Sequence, residues 1–233
     1  MQLLHDKGAN MGSLHAKNIY TNFRGRITPA QKSAIERYGN QYFITDLRNL
    51  DSLVRTASSQ ELKIEIGFGM GVELARWATE SPDASILGIE LYRPGIGSLF
   101  SKLVSEGIEN VRVVEAPAQI VIGELPNNSV DEIRILFPDP WPKKRHHKRR
   151  LIQKDFICQV ERVLAKGGRL QIATDWKPYA DWVLFCIEEN TGFVKLVDEG
   201  MLAQGERGLP TKFEKRGLNL KHKVADFTFE KTS

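Results

Sequence analysis

Five short apolar runs recur along the middle of the chain, at Leu62 to Ile66, Ser85 to Glu90, Val111 to Val114, Ile133 to Phe137 and Arg169 to Thr174, with helically spaced stretches between and after them. This alternation restricts the fold more than any other property of the sequence. Runs this apolar cannot face water on either side, so they predict strands of a doubly wound, mostly parallel α/β sheet with helices on both faces. The helical stretches are Val72 to Thr79, Gly97 to Ser105, Ala118 to Glu124, Leu151 to Leu164 and Tyr179 to Glu189. The fourth is followed by Lys166-Gly167-Gly168, a C-terminal stop signal. Two further runs, Phe193 to Val197 and Val224 to Phe229, complete a sheet of about seven strands.

The first 50 residues do not join this rhythm. They hold one helix candidate, Pro29 to Tyr38, and otherwise read as basic, which divides the chain into a basic N-terminal extension at 1–55 and an α/β domain at 56–233. With 233 residues, 41% of them hydrophobic, the chain can bury one sizeable core. Cys158 and Cys186 have no Cys-x-x-Cys or His-rich companion, so no structural disulfide and no metal site is expected. No window approaches about 18 uncharged apolar residues, and the N-terminus lacks the apolar core of a signal peptide. A cytoplasmic protein with no membrane partner is the expectation.

Charge is distributed unevenly. Residues 51–137 carry seven Lys or Arg against thirteen acids, residues 138–150 six against one, and residues 1–50 seven against three. An acidic body with basic appendages suits a protein that holds a polyanion at selected places.

The stretch IEIGFGMG, Ile64 to Gly71, ends the first strand in an acid and then alternates Gly67, Gly69 and Gly71 before a helix begins. Glycines there let the backbone turn tightly and approach a ligand. Dinucleotide sites space their glycines G-x-G-x-x-G and seat a pyrophosphate on the helix end, whereas this spacing is G-x-G-x-G. Glu65, at the strand tip, is better placed to meet a cation. Glu90, nineteen residues beyond Gly71 at the end of the second strand, can grip two ribose hydroxyls. Both suit an adenosyl cofactor with an ammonium group and no phosphate.

The stretch FPDPWPKKRHHKRR, Phe137 to Arg150, ends the fourth strand in an aspartate caged by Pro138, Pro140 and Pro142. Ligands of open α/β sheets sit outside the carboxyl ends of the strands, where Asp139 falls. Prolines restrict φ and cannot continue a ladder, so a stiff loop is expected to hold Asp139 in place. Trp141 is either a base-stacking platform or a wedge in the core, the core being favoured. Lys143, Lys144, Arg145, Lys148, Arg149 and Arg150 would follow at the rim, positioned for phosphates, and a helix starting near Leu151 adds its positive end.

These two stretches, with Gly88-Ile89-Glu90, Ala173-Thr174-Asp175-Trp176 and TKFEKRG (Thr211 to Gly217), span most of residues 60–217. Together they resemble the bacterial tRNA (guanine-N7-)-methyltransferases. The resemblance implies a Rossmann-like domain at 56–233 whose last strand is antiparallel, S-adenosylmethionine as cofactor and tRNA as partner. It implies methyl transfer to N7 of a guanine in the variable loop, forming 7-methylguanosine. By the same resemblance the cofactor meets Glu65, Gly67, Gly69, Gly71, Glu90, Pro117, Ala118 and Asp139. Asp139 is also the catalytic candidate, and Lys143, Asp175, Thr211, Lys212, Phe213 and Glu214 face the substrate. One position departs: the family usually has an acid or amide where this chain has Pro117. Proline has no side-chain hydrogen-bonding group and no N–H, which leaves adenine to the Ala118 N–H and to packing, with weaker cofactor affinity as one consequence.

Guanine N7 has an available lone pair and no proton to lose, so a strong general base is unnecessary. Catalysis would come from alignment and from carboxylates that favour the purine cation, with Asp139, Asp175 and Glu214 as candidates. Asp175 also reads as a helix cap, and Glu214, between Lys212 and Lys215, as a surface ion pair. A nicotinamide dehydrogenase, an adenine N6-methyltransferase and a non-catalytic RNA-binding module are the rival readings. The glycine spacing opposes the first, and the tryptophan directly after Pro140 opposes the second. A monomer or a homodimer is expected.

Overall fold

The computed structural model describes residues 25–48, 50, 61–189, 192–197 and 224–232. In chain order its elements are α1 (Pro29–Tyr42), β1 (Glu61–Ile66), α2 (Val72–Glu80), β2 (Ala84–Ile89), α3 (Arg93–Glu106), β3 (Val111–Val114), α4 (Ala118–Glu124), β4 (Val130–Leu136), a 3₁₀ helix (Lys144–Arg149), α5 (Lys154–Val163), β5 (Leu164–Thr174), α6 (Lys177–Glu188), β6 (Phe193–Val197) and β7 (Ala225–Lys231).

The strands form one sheet in the order β3-β2-β1-β4-β5-β7-β6. β1 to β5 pair in parallel, and β7 runs antiparallel to both β5 and β6. The chain winds outward in both directions from β1 and β4, and the crevice at such a switch point is where ligands of open α/β sheets bind. Neighbouring residues of a strand point to opposite faces, and the two apolar cores follow that rule. Ile86 and Val113 pack under α1, α2 and α3 with Tyr42, Trp77 and Phe100, whereas Leu87 and Val114 pack under α4, α5 and α6 with Val121, Ile157 and Tyr179. This is the Rossmann-like arrangement expected from the sequence, with helices on both faces and an antiparallel last strand.

Helix α1 starts at a capping box: Gln31 N–H donates to Thr28 Oγ1 at 3.3 Å, and Thr28 N–H donates to Gln31 Oε1 at 2.9 Å. It runs past the expected end at Tyr38 to Tyr42, whose buried hydroxyl donates to the Ile108 carbonyl at 3.2 Å. The described part of the basic extension therefore packs on the sheet, with Phe43 bridging to Val113. Several boundaries differ from expectation: α3 begins at Arg93 rather than Gly97, β4 at Val130 rather than Ile133, and β5 at Leu164 rather than Arg169. The basic run forms the 3₁₀ helix, so α5 begins at Lys154 rather than near Leu151. It ends at Val163, and Lys166-Gly167-Gly168 lies inside β5, because Leu164 already pairs with Val130 of β4 across a register shift. Among the described residues no helix is long and apolar enough to cross a membrane, and no group of His, Cys, Asp and Glu could hold a metal ion.

The end of α2 is tied to the start of β2 by Asn110, whose Nδ2 donates to the carbonyls of Ala78, Ser81 and Ala84 at 3.2, 2.9 and 3.0 Å. Asn110→Ala leaves these acceptors without their donor and is expected to cost about 1–3 kcal/mol, measured by urea unfolding. An unchanged midpoint would show that solvent replaces the amide.

Candidate active site

Along β1, Leu62, Ile64 and Ile66 join the core under α4 to α6, so the intervening Lys63 and Glu65 turn toward α2. Glu65 stands in register with Gly88 of β2 and Arg134 of β4. Gly88 is needed there, since a Cβ would meet Leu74 and Phe68 at 2.8 Å. The Arg134 guanidinium lies 3.7 Å from the Trp77 ring centroid, and its Nε donates to Glu132 at 2.8 Å. Glu65 is only 3% exposed, and its Oε2 has no hydrogen-bond partner among the described residues. Burial pushes its carboxyl up to about 8; Arg134 pulls it down, while Glu73 and Glu90 add to the rise. Near neutral pH Glu65 thus holds a proton, and a cation brought beside it favours the ionised form.

The glycine loop follows, with φ of +75°, +56° and +73° at Gly67, Gly69 and Gly71. Among the described residues, chain neighbours aside, no heavy atom lies within 4 Å of where a Cβ would stand at Gly67 or Gly69, so on that side the loop meets none of them. Glu90, at the end of β2, braces it. Its Oε2 accepts from Gly69 N–H at 2.8 Å, and its Oε1 accepts from Leu91 and Tyr92 N–H at 2.7 and 2.9 Å. A carboxylate has roughly four acceptor positions, so three are taken, and Glu90 has less capacity for two ribose hydroxyls than its place in the sequence suggested. Gly95, which sequence reasoning missed, lets α3 press on the loop: a Cβ there would collide with the Gly69 carbonyl oxygen. The available signal was Tyr92-Arg93-Pro94-Gly95, a proline and a glycine opening a helix beside the second acid.

Asp139 lies beyond β4, in a loop tied to β5 where Phe137 N–H donates to the Ala173 carbonyl at 2.8 Å. Phe137 and Trp141, on either side, have φ of +52° and +43°. Such left-handed conformations in residues other than glycine cost about 1–3 kcal/mol each and persist only where the surroundings hold them. Asp139 stays exposed on its outer side, yet protein packed behind it raises its carboxyl above the usual range. Burial is the largest cause that raises the Glu90 carboxyl, and the Asp139 charge adds to it, so the two carboxyls lie within electrostatic reach of each other. At the end of β3, Pro117 stands at the N-cap of α4 and Ala118 is buried. The neighbouring Gln119, also missed in the sequence, has a buried Oε1 with no partner among the described residues.

Asp175 follows β5 and is half-buried. The N-cap of α6 is Trp176, with no side-chain capping bond, so the reading of Asp175 as a helix cap drops out. Trp176 itself is 37% exposed. Trp141 belongs to neither apolar core, against the favoured reading: it is half-buried, edge-on to His146 at 5.7 Å, with the Arg149 guanidinium 5.1 Å from its ring centroid. The basic block divides by exposure. Lys143, Lys144, Arg145 and Lys148 are exposed and Arg149 is half-buried. Arg150, expected at a phosphate, is 3% exposed, with Nε donating to the Pro140 carbonyl at 2.9 Å. The short 3₁₀ helix turns it inward. Thr211, Lys212, Phe213 and Glu214 lie outside the described residues.

Glu65 makes stability pH-dependent. Its carboxyl sits near 8 in the folded protein against 4.5 ordinarily, so the folded state binds the proton more tightly. The stabilisation is complete below about pH 4.5 and is lost as pH rises through about 8. Glu65→Gln cannot ionise, so the stability of wild type minus variant is expected to fall steadily between pH 5 and 8.5 in urea unfolding. Parallel pH profiles would remove the buried-acid assignment.

A family profile described as "Putative methyltransferase" matches residues 59–227. The tRNA (guanine-N(7)-)-methyltransferase of Nitrosococcus oceani is 44% identical over 212 residues, covering 89% of this chain and 88% of that protein. The tRNA (guanine-N(7)-)-methyltransferase of Marinobacter nauticus is 40% identical over 213 residues, covering 90% of each. Among solved structures, the 16S rRNA methyltransferase KamB has a TM-score of 0.58 at 13% identity, covering 79% of this chain and 93% of that chain. An antibiotic-related methyltransferase has a TM-score of 0.56 at 20% identity, covering 82% and 96%. The distant structures speak for the fold alone, and the closer relatives for more: this chain belongs to the tRNA (guanine-N7-)-methyltransferase family.

Proposed function

We propose that this chain transfers the methyl group of S-adenosylmethionine to N7 of a guanine in the variable loop of tRNA, forming 7-methylguanosine in the cytoplasm. The observation that carries the reading is the buried Glu65 carboxyl, whose Oε2 has no partner among the described residues, beside a glycine loop with open space at Gly67 and Gly69 among the same residues. That is a fitting receptor for a ligand with an ammonium group and no phosphate.

When bound, S-adenosylmethionine supplies a methyl group already activated by a sulfonium. The chain's own residues do the rest. Glu65 would lose its proton to solvent and hold the ammonium end as a carboxylate. Gly67, Gly69 and Gly71 let the backbone come close, and the remaining acceptor position of Glu90 takes a ribose hydroxyl. Adenine is read by the Ala118 N–H and by the buried Gln119 Oε1, which has no partner among the described residues and supplies the acceptor that Pro117 lacks. Asp139 orients the guanine and offsets the positive charge that N7 acquires, with Asp175 as a second carboxylate and no general base required. Lys143, Lys144, Arg145 and Lys148 hold phosphates, and Trp141 and Trp176 offer aromatic faces at the same edge. Thr211, Lys212, Phe213 and Glu214 complete the substrate side by family resemblance.

Chemical cleavage of tRNA after reaction is expected to map the new 7-methylguanine to the variable loop; a product elsewhere would overturn the proposed target. Asp139→Asn is expected to slow single-turnover methyl transfer by about 10²-fold or more while leaving folding intact. A wild-type rate in that variant would make Asp139 a loop-shaping residue only. Neutralising Lys143, Lys144, Arg145 and Lys148 in pairs should raise the tRNA dissociation constant and lower its salt slope by roughly one for each phosphate no longer held. A slope that does not move would place the block on a solvated face.

A further inference from the structure

Arg150 closes the basic block, and its surroundings set it apart from the other cations there. Beyond the bond from its Nε to the Pro140 carbonyl, its guanidinium carbon lies 4.9 Å from the Tyr179 ring centroid and 5.9 Å from that of Trp182. Both aromatic residues belong to α6. Tyr179 is fully buried and its hydroxyl accepts from the Ile152 N–H at 3.3 Å, while Trp182 Nε1 donates to the Ile152 carbonyl at 2.8 Å. The backbone of Arg150 is pinned as well: its N–H donates to the His147 carbonyl at 3.0 Å, and its carbonyl accepts from Gln153 Nε2 at 3.2 Å. Among the described residues it makes no ion pair, so its charge rests on aromatic faces and a carbonyl.

Pro140 directly follows Asp139, and α6 begins two residues after Asp175. One guanidinium therefore ties the loop that carries one candidate carboxylate to the helix that follows the other. The tie falls between Phe137 and Trp141, the two residues of this loop held at positive φ. Pro140 has no N–H, so its carbonyl is the backbone handle available there, and only a donor can hold it. A lysine could donate but could not lay a flat guanidinium along Tyr179.

We propose that Arg150 is a positioning residue for methyl transfer: through the Pro140 carbonyl it holds the Asp139 loop against α6, and it is not a phosphate contact. The inference rests on the reading of Asp139 given above. Misplacing a reacting group by about an ångström can cost on the order of 10²-fold in rate, and that is the scale on which the clamp acts.

Arg150→Met keeps the length of the stem and removes the donor. At saturating S-adenosylmethionine and tRNA it is expected to slow single-turnover transfer at least about tenfold, with the tRNA dissociation constant and its salt slope near wild type. Arg150→Lys should recover part of the rate. A wild-type saturating rate, or a salt slope lower by about one, would overturn the proposal. Should the variants fold poorly, the wild-type protein still decides. The Arg150 Nε–H resonance is expected to exchange slowly with solvent and to stay in place when tRNA is added; fast exchange or a tRNA-induced shift would overturn the clamp. Combining Arg150→Met with Asp139→Asn separates the two readings. If Arg150 acts through Asp139, the double variant is no slower than Asp139→Asn alone. Multiplying losses would overturn the clamp and leave Asp139 standing, whereas a wild-type rate for Asp139→Asn would overturn the Asp139 reading and the clamp with it.

Discussion

Three backbone N–H groups, from Gly69, Leu91 and Tyr92, converge on the Glu90 carboxylate, and the path of the glycine loop at this edge of the sheet depends on that convergence. A chain leaving β1 through three positive-φ glycines is anchored in the core by Phe68 but has no side-chain contacts at the glycines themselves to define its path. Glu90 supplies the missing constraint from the neighbouring strand, and Gly95 adds another by letting α3 close on the Gly69 carbonyl. The loop is thus fixed from two sides, with Phe68 as its own anchor in the core.

The electrostatics of the site depend on a separation of charges by depth. Glu65, Glu90 and Asp139 gather at the ends of β1, β2 and β4, and burial raises all three carboxyls. Their mutual repulsion is tolerable because protons, backbone N–H groups and solvent each compensate one of them. The exposed cations stand outside this group, on the 3₁₀ helix. A polyanion held at that rim faces positive charge, while a cationic ligand or a purine gaining charge meets carboxyls inside. On the function proposed above, this arrangement lets one short stretch of chain hold RNA and favour a cation.

Rigidity at Asp139 comes from several weak constraints acting together. The prolines limit φ, the Phe137 N–H bonds to β5, and the Arg150 side chain reaches the Pro140 carbonyl from the far end of the basic run. A loop with two left-handed residues would relax if any one of these were its only support.

The strand and helix order was legible in the sequence because burial on both faces of a parallel sheet demands continuous apolar runs, and IEIGFGMG and FPDPW marked the two loops that matter. Glu65, Glu90 and Asp139 were legible too, since each is an acid at the end of an apolar run. What the sequence could not show was direction. Arg149 and Arg150 are identical in type and adjacent in the chain, yet one lies against Trp141 and the other under α6, since a 3₁₀ turn sends neighbouring side chains to different sides. Gln119 and Gly95 matter through what lies next to them in space, from elements distant in the chain. The sequence by itself determined the fold class, the family and the acids at the strand ends, because periodicity and local motif chemistry are properties of short segments. Only the tertiary structure decided which cations of the basic block face solvent and which turns inward to the Pro140 carbonyl, because burial is set by packing between segments that no local pattern records.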